Sequence, residues 1–132
     1  MRNEDKGNEH PGMKDSDLKR RTKRFALDVI KFVESLPKSE TCRVLGRQLL
    51  RSGTSVGANY RAACRAKSNA DFINKMSIVE EEADESSYWM ELLVEDGIVA
   101  EVKAKPLIIE ANELVAITVS SINTARKTGG RP

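Results

Sequence analysis

What this chain lacks narrows it before any motif is read. It carries one histidine, His10, two cysteines, one tryptophan and only 5% aromatic residues in 132 positions. The histidine stands near the start, outside the helical pattern, so neither Cys42 nor Cys64 has an imidazole in the folded region to activate its thiol. Carboxylate di-metal centres in helical bundles use Glu-x-x-His pairs, and none is present. The GxxxxGK[ST] phosphate loop is also missing, and Gly53-Thr54-Ser55-Val56-Gly57 follows no strand. These absences argue against nucleophilic, metal and phosphate-loop chemistry. The expectation is a protein that is not an enzyme and uses no cofactor or metal.

No run approaches the roughly 18 apolar residues that span a bilayer. The opening MRNEDKGNEH has no apolar core and does not read as a signal peptide. Cys42 and Cys64 fall in what reads as one helix, roughly 33 Å apart at helical rise, so they cannot bridge within it. Two free thiols suit a reducing compartment, and the expected location is cytoplasmic.

What is present is charge and helix-forming residues. Charged residues make up 32% of the chain and the formal net charge is only +2. That small total hides strong segregation. Residues 1–24 carry eight basic and five acidic groups, residues 39–67 six and one, and residues 68–96 one and nine. The segment charges are therefore +3, +5 and −8, a distribution that concerns assembly and partners.

Apolar periodicity predicts four helices. Residues 1–15, nearly without apolar side chains, read as a disordered tail. The first helix starts near Ser16 or Asp17 and buries Leu18, Phe25, Val29, Phe32 and Leu36 before Pro37 stops it. Its start is the basic run from Lys19 to Arg24, a solvated helix end or a polyanion contact. The second helix opens at Ser39-Glu40, with a stripe of Leu45, Leu49, Ser52, Val56, Tyr60 and Ala63. Gly46, Gly53 and Gly57 each cost about 1 kcal/mol relative to Ala, which favours close packing over a break. The third helix is capped by Ser68 with Asp71 and buries Phe72, Met76, Val79, Ala83, Ser86, Met90 and Leu93 up to Asp96-Gly97. In the fourth, Pro106 stands in the first turn, with Leu107, Ala111, Leu114, Thr118, Ser121 and Ala125 facing inward. Residues 128–132 read as a frayed end. The fold class is thus all-α, an antiparallel up-down-up-down four-helix bundle over residues 16–127.

Two surfaces exceed what a lone bundle requires. On the second helix Arg43, Arg47, Arg51, Arg61 and Arg65 fall within a sector of about 80°, with small Thr54 and Ala58 between them. Such a row suits a phosphate backbone, because guanidinium binds phosphate through two parallel hydrogen bonds. A solvated face, or pairing with an acidic helix, is equally compatible with it. On the third helix Ile78, Trp89 and Leu92, with Glu82 and Glu85 among them, form a second seam beside the core stripe, and the fourth helix is apolar over more than half its circumference. Apolar surface on two sides of a helix marks burial against a neighbour. These five residues are the expected interface of a homo-oligomer.

Residues 49–93, LLRSGTSVGANYRAACRAKSNADFINKMSIVEEEADESSYWMELL, resemble the small bacterial four-helix-bundle proteins named after 23S rRNA intervening sequences. The likeness extends over roughly residues 22–127. It implies an up-down bundle assembling as a homopentamer, and it implies no catalytic residues. The same fold family includes the accessory variability protein of diversity-generating retroelements, a basic pentamer that works with a reverse transcriptase and nucleic acid. This chain departs from that strongly basic type in its acidic third helix. Two functions follow as expectations. One is RNA or DNA binding through Arg43, Arg47, Arg51, Arg61 and Arg65, with the basic start of the first helix as a further contact. The other is a protein-interaction scaffold in which that face pairs with the acidic third helix of a neighbouring subunit.

Overall fold

The computed structural model describes residues 14–129, which form four helices: α1 (Asp15–Glu34), α2 (Glu40–Cys64), α3 (Asn69–Glu95) and α4 (Glu101–Gly129). No strand occurs among the described residues. Most of each expected tail lies outside them, at 1–13 and 130–132.

The apolar stripes account for the packing. Each inward position expected on α4 is buried, as are Met76, Val79, Ala83, Ser86, Met90 and Leu93 on α3. Leu45 and Phe72 are half-buried at the margins. α2 lies between α1 and α3, α3 packs on α4, and the α1–α4 seam closing the bundle is the sparsest. Helix α2 is unbroken through its glycines because the backbones of α1 and α2 approach closely there. A Cβ on Gly53 would stand 2.8 and 2.9 Å from the two Cγ atoms of Val29, and one on Gly57 would stand 3.2 Å from Thr22 Oγ1. Between α2 and α3 the small hydroxyls of Ser52 and Ser86 meet at 2.9 Å.

Helix ends follow local chemistry, with two departures from expectation. Ser39 Oγ accepts from the Cys42 amide at 3.1 Å, and Ser68 Oγ from the Asp71 amide at 3.0 Å, capping α2 and α3. Gly97, at φ +81°, follows the C-terminal end of α3 in the left-handed conformation that glycine adopts freely. Helix α1 begins at Asp15 with no side-chain cap, so Ser16 and Asp17 lie within its first turn. Asp15 is instead drawn inward, where the Tyr60 hydroxyl donates to its Oδ1 at 2.9 Å. Helix α4 begins at Glu101, which places Pro106 at its sixth position rather than in the first turn. The carbonyl that proline deprives of a partner is that of Val102, at the exposed end of the helix, where the loss is cheap.

Candidate functional site

The five arginines expected to act as one row have different surroundings. Arg43 pairs with Glu40 one turn back, its Nη2 at 2.5 Å from Oε2. Arg51 leans across to α3 of its own chain, with Nη2 at 2.5 Å from Glu85 Oε2 and Nη1 at 3.3 Å from Glu82 Oε1. Those hydrogen bonds, Glu85's first, raise the Arg51 pKa above its ordinary value. Glu85 also accepts from Trp89 Nε1 at 3.2 Å. Arg47, Arg61 and Arg65 are exposed and form no ion pair among the described residues.

Arg61 and Arg65 belong to a different arrangement. They form one wall of a groove whose other wall is Lys19, Arg20 and Lys23 of α1. The floor is Ala26 from α1 with Thr54, Gly57 and Ala58 from α2. The helical period divides the basic run of α1 between two faces. Lys19, Arg20 and Lys23 turn towards α2, whereas Arg21 turns towards α4. There Arg21 Nε meets Glu110 Oε2 at 2.6 Å, while Nη2 reaches Glu110 Oε1 at 2.9 Å and Glu113 Oε1 at 2.5 Å. The hydrogen bonds to Glu110 dominate in holding Arg21 protonated well beyond its ordinary range.

The groove lining contains five cations and no acidic side chain. Within the groove Arg20 alone has a carboxylate partner among the described residues, Asp17 one turn back on α1. The Thr54 hydroxyl donates to its own helix, to Leu50 O at 2.8 Å, so the floor offers little besides small surface. The cations are thus displayed around a floor that nothing bulky obstructs. Chemically this is an anion cradle with point charges on two sides.

Asp15 and Tyr60 are buried against one another, with the half-buried Cys64 beside Tyr60. Burial pushes the Tyr60 phenol well above its usual pKa and raises that of the Cys64 thiol. A thiol held protonated is a poor nucleophile. Both cysteines are free, Cys42 buried and Cys64 half-buried. Among the described residues no group of three or more His, Cys, Asp or Glu is placed to hold a metal ion, and no helix is long and apolar enough to cross a membrane.

The residues expected at an oligomer interface lie together along α3. Ile78, Glu82, Glu85, Trp89 and Leu92 are all half-buried, and Trp89 packs against the edge of the core. Tyr88 stands beside Trp89 with ring centroids 5.1 Å apart, edge to face, and is 51% exposed. The expectation sets the basic start of α1 with all five α2 arginines, and the fold brings only Arg61 and Arg65 to it. Folding the second helix back across the turn at Pro37 would have set positions 61 and 65 beside that run.

The sequence matches the family model of the 23S rRNA-intervening sequence protein over residues 14–120. Among solved structures, it is similar to a crystal structure of a protein with unknown function from the S23 ribosomal protein family of Bacteroides thetaiotaomicron. The two share 35% identity and a TM-score of 0.77, with 83% of this chain and 97% of that one covered. No curated protein matches significantly. With the four helices, their core and the matched span in agreement, the chain belongs to the 23S rRNA-intervening sequence protein family.

Proposed function

We propose that this protein is a non-enzymatic, cytoplasmic nucleic-acid-binding protein, built as an up-down-up-down bundle that assembles into a homo-oligomer. The observation that carries the reading is the α1–α2 groove, in which Lys19, Arg20, Lys23, Arg61 and Arg65 converge with no acidic residue in the lining. Like charges gathered on one open surface repel one another, and a polyanion relieves that repulsion while releasing its own counterions. Arg47 extends the cationic surface along α2, whereas Arg43 and Arg51 are engaged within the chain.

Support for the bundle's direction comes from its pairings. Gly46 faces Val33 and Leu36, Gly53 faces Val29, and Gly57 faces Thr22, so contacts on α1 run backwards as those on α2 advance. Support for assembly comes from apolar surface that one bundle does not cover. Val102, Ile109 and Val119 on α4 are exposed, as is Tyr88 on α3. A pentamer is the state the family resemblance suggests. The scaffold alternative, with these arginines paired to a neighbour's α3, is weakened because Arg51 meets Glu82 and Glu85 of its own chain.

Fluorescence anisotropy with labelled RNA and DNA, titrated in salt, tests the reading. Four or five phosphate contacts give a log–log slope near −4, or roughly a 250-fold loss of affinity between 50 and 200 mM salt. Binding that is absent at low salt, or that ignores salt, contradicts it.

A further inference from the structure

The chemistry of the groove narrows the ligand further, on the premise that the nucleic-acid reading above holds. We infer that the groove takes the sugar-phosphate backbone of a double helix, without regard to base sequence, in preference to a single strand. Three observations carry this.

Single strands are held largely by stacking their bases on aromatic side chains, worth about 1–3 kcal/mol per base. No aromatic residue lines the groove. Phe25 and Tyr60 of the flanking helices are 1% and 0% exposed, committed to the core. The accessible aromatic pair, Tyr88 and Trp89, is on α3, where Glu85 holds the Trp89 indole and the neighbouring carboxylates of Asp84 and Glu91 repel phosphate. Cations and stacking surfaces are therefore separated within the chain.

Adenine reading is likewise not provided for, and only the arginines and lysines themselves could reach a base edge, that of guanine. Direct readout of adenine uses Asn or Gln, and neither lines the groove. The nearby amide of Asn59 is folded back on its own helix, donating to Ser55 O at 2.9 Å. Nor does the floor of Ala26, Thr54, Gly57 and Ala58 offer an apolar wedge to open a base step.

The cations also stand in two rows, Lys19 and Lys23 on α1 facing Arg61 and Arg65 on α2. Within a row the spacing is one turn, about 6 Å of rise. Packed helices lie about 8–10 Å apart. Each row of positive charge can follow one of the two phosphate strands that flank a duplex groove, whereas a single strand offers one row.

The test uses the full-length protein and labelled 20-mers: an RNA duplex, a DNA duplex, the separate strands of each, and a duplex of shuffled sequence. At one low salt concentration, a duplex is expected to bind at least tenfold more tightly than its strands. The shuffled duplex should bind within about twofold of the original. Lys23→Ala with Arg61→Ala should weaken both duplexes alike while circular dichroism shows unchanged helix content. A preference for the RNA or the DNA duplex is consistent with the inference and identifies which backbone fits. Equal or tighter binding of single strands, a tenfold effect of shuffling, or duplex binding insensitive to the double variant overturns it. Single-strand binding that the variant abolishes would overturn the duplex inference and leave the nucleic-acid reading standing. No binding of any 20-mer removes both.

Discussion

At the scale of single residues, three glycines on one helix have different reasons for being there. Gly53 is fixed by Val29, a fully buried residue whose branched side chain cannot swing aside. A methyl there returns about 1 kcal/mol of helix propensity against an overpacking cost of about 1–3 kcal/mol. Gly53→Ala should therefore lower stability in urea. Gly46 has more room, its nearest neighbour for a Cβ being Val33 Cγ1 at 3.3 Å. Gly46→Ala should cost less than Gly53→Ala, since Val33 has only a few tenths of an ångström to give while the helix gains about 1 kcal/mol of propensity. Equal effects at the two sites would refute the steric account.

Tyr60 sets a second test. Its pKa is raised by burial above the value near 10 that an unfolded tyrosine shows. The protonated phenol thus contributes its full stabilisation below about pH 10. Above that pH the unfolded chain releases the proton and the folded chain retains it, so stability falls as pH rises. Tyr60→Phe should cost about 1–2 kcal/mol at neutral pH through the lost hydrogen bond to Asp15. Its melting temperature should also decline less between pH 9 and 11 than that of the wild type. Parallel curves for the two proteins would exclude Tyr60 as the titrating group.

At the scale of elements, α1 connects two unlike surfaces: a cationic side towards α2 and an ion-paired side towards α4. The Arg21–Glu110 pair bridges the sparsest seam of the bundle with two hydrogen bonds, and both side chains are about one-quarter exposed. Arg21→Ala should cost about 1–2 kcal/mol, in the range for hydrogen bonds to charged groups. Arg51→Ala, at a pair whose arginine is about half exposed, should destabilise less than Arg21→Ala. A larger loss for Arg51 than for Arg21 would contradict this ordering.

The elements also show what the sequence made legible. Core stripes could be read because burial follows the helical period, and Leu107 through Ala125 alternate in and out accordingly. The start of α1 could not, since Asp15 is positioned by Tyr60, 45 residues away, rather than by a local cap. Charge pairing was legible only as a tendency. The side chain of Arg51 reaches either α3 of its own chain or a neighbour, and helix-wheel position does not distinguish them. The groove was hidden for a related reason, because its walls come from two segments that only the α1–α2 packing joins.

At the scale of the whole molecule, charges of opposite sign are sorted to different helices. The cations gather on α1 and α2, while α3 carries the acidic cluster with Tyr88 and Trp89, and α4 exposes Val102, Ile109 and Val119. Light scattering should give a mass near five times the 14.7 kDa of one chain. Ile109→Glu, at a position 46% exposed in the single bundle, should reduce that mass without unfolding the helices. A monomeric wild type would remove the assembly argument.

The central claim is that the α1–α2 groove, rather than the full arginine row of α2, meets nucleic acid. The most direct measurement compares two double variants by anisotropy at low salt. Lys23→Ala with Arg61→Ala removes one cation from each wall of the groove, and Arg43→Ala with Arg51→Ala removes two arginines engaged within the chain. The account requires the groove variant to lose at least tenfold in affinity and to bind with a salt slope shallower by nearly two, with the other variant close to wild type. Equal losses in both variants, or a loss confined to Arg43 and Arg51, would contradict it.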